Sequence, residues 1–474
     1  MTVDRTMVRD LTARLSGRLV EAIEADTTST NTGGFAEVEG RRRVGLREDR
    51  ARLELLMGRW MADEIAGINQ ARLQHGDGLL DEYAERELRA AAYAETVGAG
   101  PLEPYMHDPE VEEIDVNSHR VTWVSYSDGR KEALGQLWDS ADDLYAFQRR
   151  LTLSMGVAES RLDEQSPMVT LQAPDGSRVV LVLGGPGRSG VSSEPRIAIR
   201  RFTIHRVGLD GLAQRGLFPR WLVPQLEALV QSGMTILISG GPGAGKTTLL
   251  KELLGAVSPL ERILTVEKGL LELRLEDDPR HPDAPALYTR QANTEGRGAV
   301  TARELVELTR RLNPDRVIVG ELVEDEALEM LDVASMCKRG SMATIHAHTV
   351  EAVLSRLAFY VAKSNTKLPE YAVWSLIAET IDFVIHIDLV RNTDVVAPQR
   401  CVTSIVEYGG RGEHGGVRST ETWGMNELNQ FVQRNPLSER HVRRLRLAGI
   451  PDGVFVPNDD LPIHGLPVTG MVSR

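Results

Sequence analysis

The spacing of apolar positions changes character along the chain, and each change predicts a different kind of element. Leu11, Leu15, Leu19 and Ile23 recur at helical spacing within residues 8–24, and Leu53, Leu56, Trp60, Ile65 and Ile68 do so among many charges within 46–73. Both stretches predict amphipathic helices. The small, polar run from Thr27 to Gly34 predicts a linker near residues 27–45. Residues 1–99 therefore read as a helical N-terminal extension that packs or docks and carries no visible chemistry.

From about Pro101 the pattern shortens. Val111 to Val116, Arg120 to Tyr126 and Ser177 to Leu183 alternate or run apolar, Pro174-Asp-Gly176 is a turn signal, and Tyr145 to Met155 is helix-like. This mixture predicts an α+β domain over 100–207 that ends near Ile204, with a hinge at Gly208 to Gly216. Beyond the hinge, strand and helix patterns alternate through 235–239, 247–257, 262–267, 303–312, 315–320, 326–335, 341–347, 350–362 and 382–390. Such alternation predicts an α/β domain over 208–408, a mostly parallel sheet with helices on both faces and ligands at the carboxyl ends of its strands. From Gly409 to Gly416 the composition turns rich in glycine and charge, so 409–474 reads as a small appendage or a partly disordered tail.

One loop carries the clearest chemistry. Gly240, Gly241, Pro242, Gly243, Ala244, Gly245, Lys246 and Thr247, with Thr248 following, form a complete P-loop between an apolar run and a helix-patterned one. The glycines let successive backbone N–H groups turn inward toward a phosphate, and the helix N-terminus adds partial positive charge. Lys246 is the residue to reach the β- and γ-phosphates of ATP, and Thr247 the one to ligate Mg²⁺. Leu249, Leu250, Leu253, Leu254 and Val257 supply the packed face of the helix that follows.

Hydrolysis also needs an oriented water and a held metal ion. Arg316-Val-Ile-Val-Gly-Glu321 is an apolar strand ending in an acid, so Glu321 is a candidate to orient the water or to hold the metal through its shell. Arg262 to Glu267 repeats that layout, which makes Glu267 a candidate general base or water-positioning group. His346 and His348 lie two residues apart at another strand end, where either is able to sense the γ-phosphate or donate to it.

Composition narrows the partners. The chain has 55 Lys+Arg against 68 Asp+Glu, a formal net charge of -13 that repels a phosphate backbone, so nucleic acid is not expected as the main partner. Cys337 and Cys401 are the only cysteines, too few for a disulfide framework or a thiolate zinc site, and this usage suits a reducing cytoplasm. No apolar run is long enough to span a bilayer. Work at a membrane then requires recruitment by a partner.

Several separated motifs together resemble the secretion-system traffic ATPases of type II and type IV secretion and type IV pilus assembly, with the CpaF-like branch of tight-adherence pili the most similar. They are Gly100-Pro-Leu-Glu-Pro104, Asp108 to Ile114, Ser166 to Val169, Pro174 to Val179, Ile199 to Phe202, Ala292 to Gly296, Asn313 to Arg316, Val319-Gly-Glu321 and Ala343 to Ala347. The resemblance implies a RecA-like motor domain, a homohexameric ring, an inner-membrane platform protein as partner, and a place at the cytoplasmic face of that membrane. It also implies roles: Glu267 as catalytic glutamate, Glu321 as Walker B acid, His346 as the second histidine of the His box, and Arg178 and Arg200 as N-terminal-domain arginines offered to the nucleotide phosphates. Guanidinium forks suit that task because they bind phosphate oxygens in pairs and stay charged.

Three positions depart from the family pattern. Lys268 stands where an acid usually follows the catalytic glutamate, Lys338 where the first His-box histidine stands, and Val323 where an arginine commonly follows the Walker B acid. These departures leave nucleotide binding intact and bear on the rate of hydrolysis. The leading reading is an ATP-hydrolysing motor for pilus assembly or protein secretion. Two alternatives are a nucleotide-binding ring scaffold with weak hydrolysis and a DNA-translocating conjugation ATPase.

Overall fold

The computed structural model describes residues 5–32, 50–155, 161–173, 175–185, 187–201, 207–269, 272–290, 292, 297–324, 326–364, 368–390, 399–412, 416–427 and 430–455. Most of the linker near 27–45, Pro174, Phe202, Ile204, the stretch 293–296 and the tail beyond 455 lie outside the described residues. The chain forms two compact units, Met1–Thr203 and Ile204–Arg474.

The first unit opens with α1 (Arg5–Thr32), α2 (Arg50–Gln74) and α3 (Glu82–Thr96). Leu11, Leu15 and Leu19 meet Leu53, Met57, Ile65 and Leu88 in one apolar cluster, so the two expected stripes pack on each other and on α3. Asp81 starts α3 by accepting the Ala84 N–H at 2.7 Å. Next come α4 (Glu103–His107), β1 (Val111–Ser118), β2 (Val121–Tyr126), β3 (Lys131–Leu134), α5 (Ala141–Met155), β4 (Met168–Gln172), β5 (Arg178–Val182) and β6 (Arg196–Arg200). The six strands form one sheet in the order β3-β2-β1-β6-β5-β4, its paired strands antiparallel. Leu144, Phe147 and Leu151 of α5 bury against Ile114, Leu181 and Ile197.

In the second unit the expected hinge at 208–216 is instead a helix, α6 (Gly208–Gln214), ending in a turn at Gly216. Leu209 and Leu212 are buried, and the Val207 and Gly208 N–H groups reach Glu252. The segment is therefore tied into the core. After it come α7 (Val223–Gln231), β7 (Ile236–Gly240), α8 (Lys246–Leu254), β8 (Ile263–Glu267), β9 (Ala286–Tyr288), α9 (Ala302–Thr309) and β10 (Arg316–Leu322). The chain continues through α10 (Glu326–Met336), β11 (Met342–His346), α11 (Ala352–Lys363), α12 (Glu370–Thr380), β12 (Phe383–Val390), β13 (Gln399–Arg411), β14 (Val417–Met425), β15 (Phe431–Gln433) and α13 (Glu439–Leu447).

These strands build one nine-stranded sheet, β15-β14-β13-β12-β7-β11-β10-β8-β9. Strands β12 through β9 are parallel, while β13, β14 and β15 add antiparallel pairs at one side. All five residues of β7 and of β8 are buried, as expected of parallel strands covered on both faces. Ile236 and Ile238 join the core beneath α7 and α8, whereas Leu237 faces the core beneath α10 and α11. The appendage expected from residue 409 is not separate through residue 455. The expected break falls inside β13, which pairs antiparallel with β14 as far as Arg411 and Val417.

Candidate nucleotide site

Four neighbouring strands, β7, β11, β10 and β8, end at one edge of the sheet, and each delivers a candidate group there. β7 ends at Gly240, β11 at His346, β10 carries Glu321, and β8 ends at Glu267. Neighbouring strands lie about 4.8 Å apart, so the row spans roughly 14 Å. Gly240 and His346 stand level in the register.

The loop after β7 depends on backbone shapes that only glycine adopts easily. Gly243 has φ 70° and Gly245 φ 94°, both left-handed, and Gly245 caps α8. At Gly240 (φ 154°) a Cβ would meet the Ile387 carbonyl oxygen of β12 at 2.3 Å, so this position must stay bare. At Gly241 and Gly243 a Cβ would meet nothing within 4 Å, which leaves that side of the loop open to a ligand. Ala244 is buried, Pro242 and Thr248 are exposed, and Thr247 is half-buried in the first turn of α8. An open arc of backbone at a helix N-terminus, with a lysine at its root and a hydroxyl beside it, fits a nucleotide triphosphate with Mg²⁺. Arg400 of β13, which the sequence patterns did not single out, steadies the tip by donating from Nε to the Gly243 carbonyl at 3.0 Å.

Lys246 is buried, and its Nζ donates to the Gly241 carbonyl at 2.9 Å and to His346 Nδ1 at 3.1 Å. An ammonium has no lone pair to offer, so Nδ1 accepts and carries no proton. The imidazole proton then sits on Nε2, which lies 2.5 Å from Glu321 Oε1. Burial and the Lys246 charge together hold His346 below its ordinary value, outweighing the pull of Glu321. Lysine, neutral histidine and carboxylate thus form one chain of polar contacts, hydrogen-bonded between Lys246 and His346 and electrostatic between His346 and Glu321.

Glu321 reaches that chain through a bulge. Val319 pairs with Ala343 but Leu322 with Ile345, so β10 holds one extra residue against β11 at Gly320–Glu321. The Thr344 hydroxyl donates to the Gly320 carbonyl at 2.5 Å and pins the bulge. Gly320 serves a second purpose, since a Cβ there would meet Glu267 Cγ at 3.3 Å.

Glu267 is buried at 3% exposure. Its Oε2 accepts from the Glu272 and Leu273 N–H groups at 2.7 and 2.9 Å, while Oε1 has no hydrogen-bond partner among the described residues. Burial pushes this carboxyl up to about 7, against the opposing pull of the two backbone N–H groups and of Lys251. A carboxylate poised near neutrality with a bare oxygen has the form of a general base.

The remaining sequence candidates fall elsewhere. β11 ends at His346, so His348 lies in the bend beyond it and is exposed. Lys338 does not join the row of strand ends. It donates to Asp315 Oδ1 at 2.9 Å, just before β10 begins and so at the opposite edge of the sheet. Lys268 pairs with Glu326 Oε1 at 3.0 Å, and Val323 offers its backbone N–H to that same oxygen at 2.8 Å. In the first unit, Arg178 and Arg200 stand directly opposite each other on β5 and β6. Like charges so placed repel, and an anion would relieve them.

A P-loop at the carboxyl ends of parallel strands, with acids at the two ends beyond it, defines a nucleotide-hydrolysing class of α/β protein. The chain belongs to the type II/IV secretion system protein family, whose model matches residues 99–435. It is 31% identical over 300 residues to Rv3659c of Mycobacterium tuberculosis (strain H37Rv), a protein provisionally named for conjugal transfer, covering 62% of this chain and 81% of that one. It is 28% identical over 319 residues to the type IV secretion system protein VirB11 of Brucella suis, covering 60% and 83%. Among solved structures, the Legionella pneumophila ATPase DotB is similar at 16% identity and TM-score 0.45, over 74% of this chain and 84% of that one. Family membership makes this chain a secretion-system ATPase in general terms, with ATP as its nucleotide. Among the described residues no helix is long and apolar enough to cross a membrane.

Proposed function

We propose that the chain is the ATP-hydrolysing motor subunit of a pilus-assembly or protein-secretion machine of the CpaF-like kind, working as a homohexamer on an inner-membrane platform protein from the cytoplasmic side. The observation that carries hydrolysis, as opposed to binding alone, is Glu267: buried, near neutral in its pKa, and with one oxygen that has no hydrogen-bond partner among the described residues. Bound ATP with Mg²⁺ supplies an electrophilic phosphoryl group and a metal that neutralises its charge.

On this reading the open arc from Gly240 to Gly245 and the Lys246 ammonium hold the phosphates, and Thr247 ligates the metal. Glu321 acts on the metal's shell or on the water, and its proton relation to His346 links it to the lysine. Glu267 takes the proton of the attacking water at Oε1. Arg178 and Arg200 answer to the same phosphates as the family pattern implies, their mutual repulsion favouring an anion.

Steady-state phosphate release by the purified full chain tests this. Glu267→Gln and Glu321→Gln each lower it by about 10²-fold or more. Equal release from all three proteins would leave the ring-scaffold reading in its place. The mycobacterial relative's name favours a conjugation motor as a second reading. The net charge of -13 weighs against direct grip on DNA, and a duplex-binding assay at physiological salt separates the two.

A further inference from the structure

Two of the three departures from the family pattern meet at one atom. Glu326, the first residue of α10, is 1% exposed. Its Oε1 takes the Lys268 ammonium at 3.0 Å, the Val323 N–H at 2.8 Å and the Glu324 N–H at 3.3 Å. A buried carboxylate needs such partners, because an uncompensated charge there is costly. Lys268 directly follows Glu267 at the end of β8, and Val323 follows Glu321 by two residues past β10. The three contacts therefore tie the exit of one acid-bearing strand to the exit of the other.

The tie matters because each acid is held by its local backbone. Glu267 Oε2 rests on the N–H groups of Glu272 and Leu273, a few residues past Lys268 in the chain. Glu321 sits on a bulge just before Val323 and Glu324, whose N–H groups Glu326 holds. The strands themselves pair only up to Val266 and Val319, leaving the two acids beyond the last matched pair. Lys268–Glu326 is the ion pair that spans the gap above them.

We propose that Lys268 and Glu326 are positioning residues for hydrolysis, a charge clamp that fixes the separation of Glu267 and Glu321 and so replaces whatever the family achieves with an acid at 268 and an arginine at 323. The clamp touches neither Lys246 nor the arc from Gly240 to Gly245, so nucleotide affinity does not depend on it. This inference rests on the motor reading for its kinetic part and on geometry alone for its structural part.

The test uses the full chain as wild type, Lys268→Met, Lys268→Arg and Glu326→Gln. Lys268 is 36% exposed and Met keeps its stem, so that variant retains the fold, which unchanged ATP-analogue affinity verifies. The clamp predicts kcat lowered about tenfold in Lys268→Met and Glu326→Gln with KM for ATP within about twofold, and recovery in Lys268→Arg. It also predicts faster amide hydrogen exchange in Lys268→Met that is confined to Glu272, Leu273, Val323 and Glu324. Wild-type kcat in Lys268→Met, or a loss of affinity that matches the loss of kcat, overturns the proposal. Should the wild type itself release no phosphate, the motor reading fails, and hydrogen exchange alone then decides the clamp: unchanged exchange at the four amides refutes it.

Discussion

The Lys246 ammonium lies 3.1 Å from His346 Nδ1, and that contact fixes the protonation of a histidine one hundred residues away in sequence. The ammonium can only donate, so His346 is the Nε2–H tautomer, with Nε2 lying 2.5 Å from Glu321 Oε1. Nitrogen NMR of the histidine ring is expected to show a neutral Nε2–H form at pH 7 that becomes charged only below its ordinary value of 6.5. Lys246→Met removes one cause of that depression, leaving burial and the Arg356 charge, and the His346 midpoint then moves up. A midpoint that stays put would refute the contact.

Glu267 gives hydrolysis a pH limb. With its carboxyl pushed up to about 7, the ionised base is scarce at pH 6 and prevalent at pH 8, so phosphate release rises across that range and levels off above it. The same shift has an opposite effect on stability. The folded value lies above the unfolded one, so the contribution is complete below about 4.5 and is lost as pH rises through 7. Glu267→Gln cannot ionise, and its melting temperature relative to wild type should therefore be higher at pH 8.5 than at pH 5. A difference that does not change with pH would contradict the burial argument.

Two neighbouring glycines separate folding from binding. Gly240→Ala places a methyl 2.3 Å from the Ile387 carbonyl, with no flexible group to yield, and is expected to lower stability by about 1–3 kcal/mol. Gly241→Ala meets nothing within 4 Å and has no left-handed φ, so its melting temperature stays near wild type. Thermal denaturation of the two variants side by side checks the contrast.

The last described helix is latched by charge. Buried His441 lies 2.5 Å from Glu407 Oε1 through Nδ1 and 3.0 Å from Asp382 Oδ1 through Nε2, and Arg444 donates to the same Asp382 oxygen at 2.6 Å. Ser438 also donates to Glu407, and Arg440 approaches Asp382. Two carboxylates on one ring require both nitrogens to donate, so His441 is an imidazolium. Burial opposes its charge, yet the bonds to Asp382 and Glu407 hold it above 6.5, while they hold Asp382 and Glu407 below 3.8 and 4.5. The histidine's share of stability is complete below 6.5 and lost as pH rises through its raised value. The carboxylates' share is complete above 4.5 and lost as pH falls through their lowered values. His441→Ala should therefore cost about 3–5 kcal/mol at pH 5.5 and less in mildly alkaline buffer, read from denaturant unfolding.

How far the sequence reached follows from range of interaction. The strands and helices of the second unit were legible because parallel strands are apolar throughout and α8 has a clean stripe, and the P-loop because its chemistry is contiguous. Glu267 and Glu321 were found as acids closing apolar strands. The bulge at Gly320, the Arg400 contact to Gly243 and the Lys246–His346 pair were not, since each joins residues brought together only by strand order. Lys338 entered through the family pattern alone, at the place of the first His-box histidine, and strand order sets it at the opposite edge of the sheet, where it donates to Asp315. The change to glycine and charge at 409 read as the start of an appendage, whereas β13 runs on through Gly409 to Arg411 and pairs with β14 from Val417.

Lys246, in the loop after β7, is the group through which this chain grips ATP. Isothermal titration of the full chain with Mg·ATP, wild type against Lys246→Glu, tests it most directly. Heat of association is expected from the wild type and none from the variant under the same conditions. Equal heats from both, or none from the wild type, would contradict it.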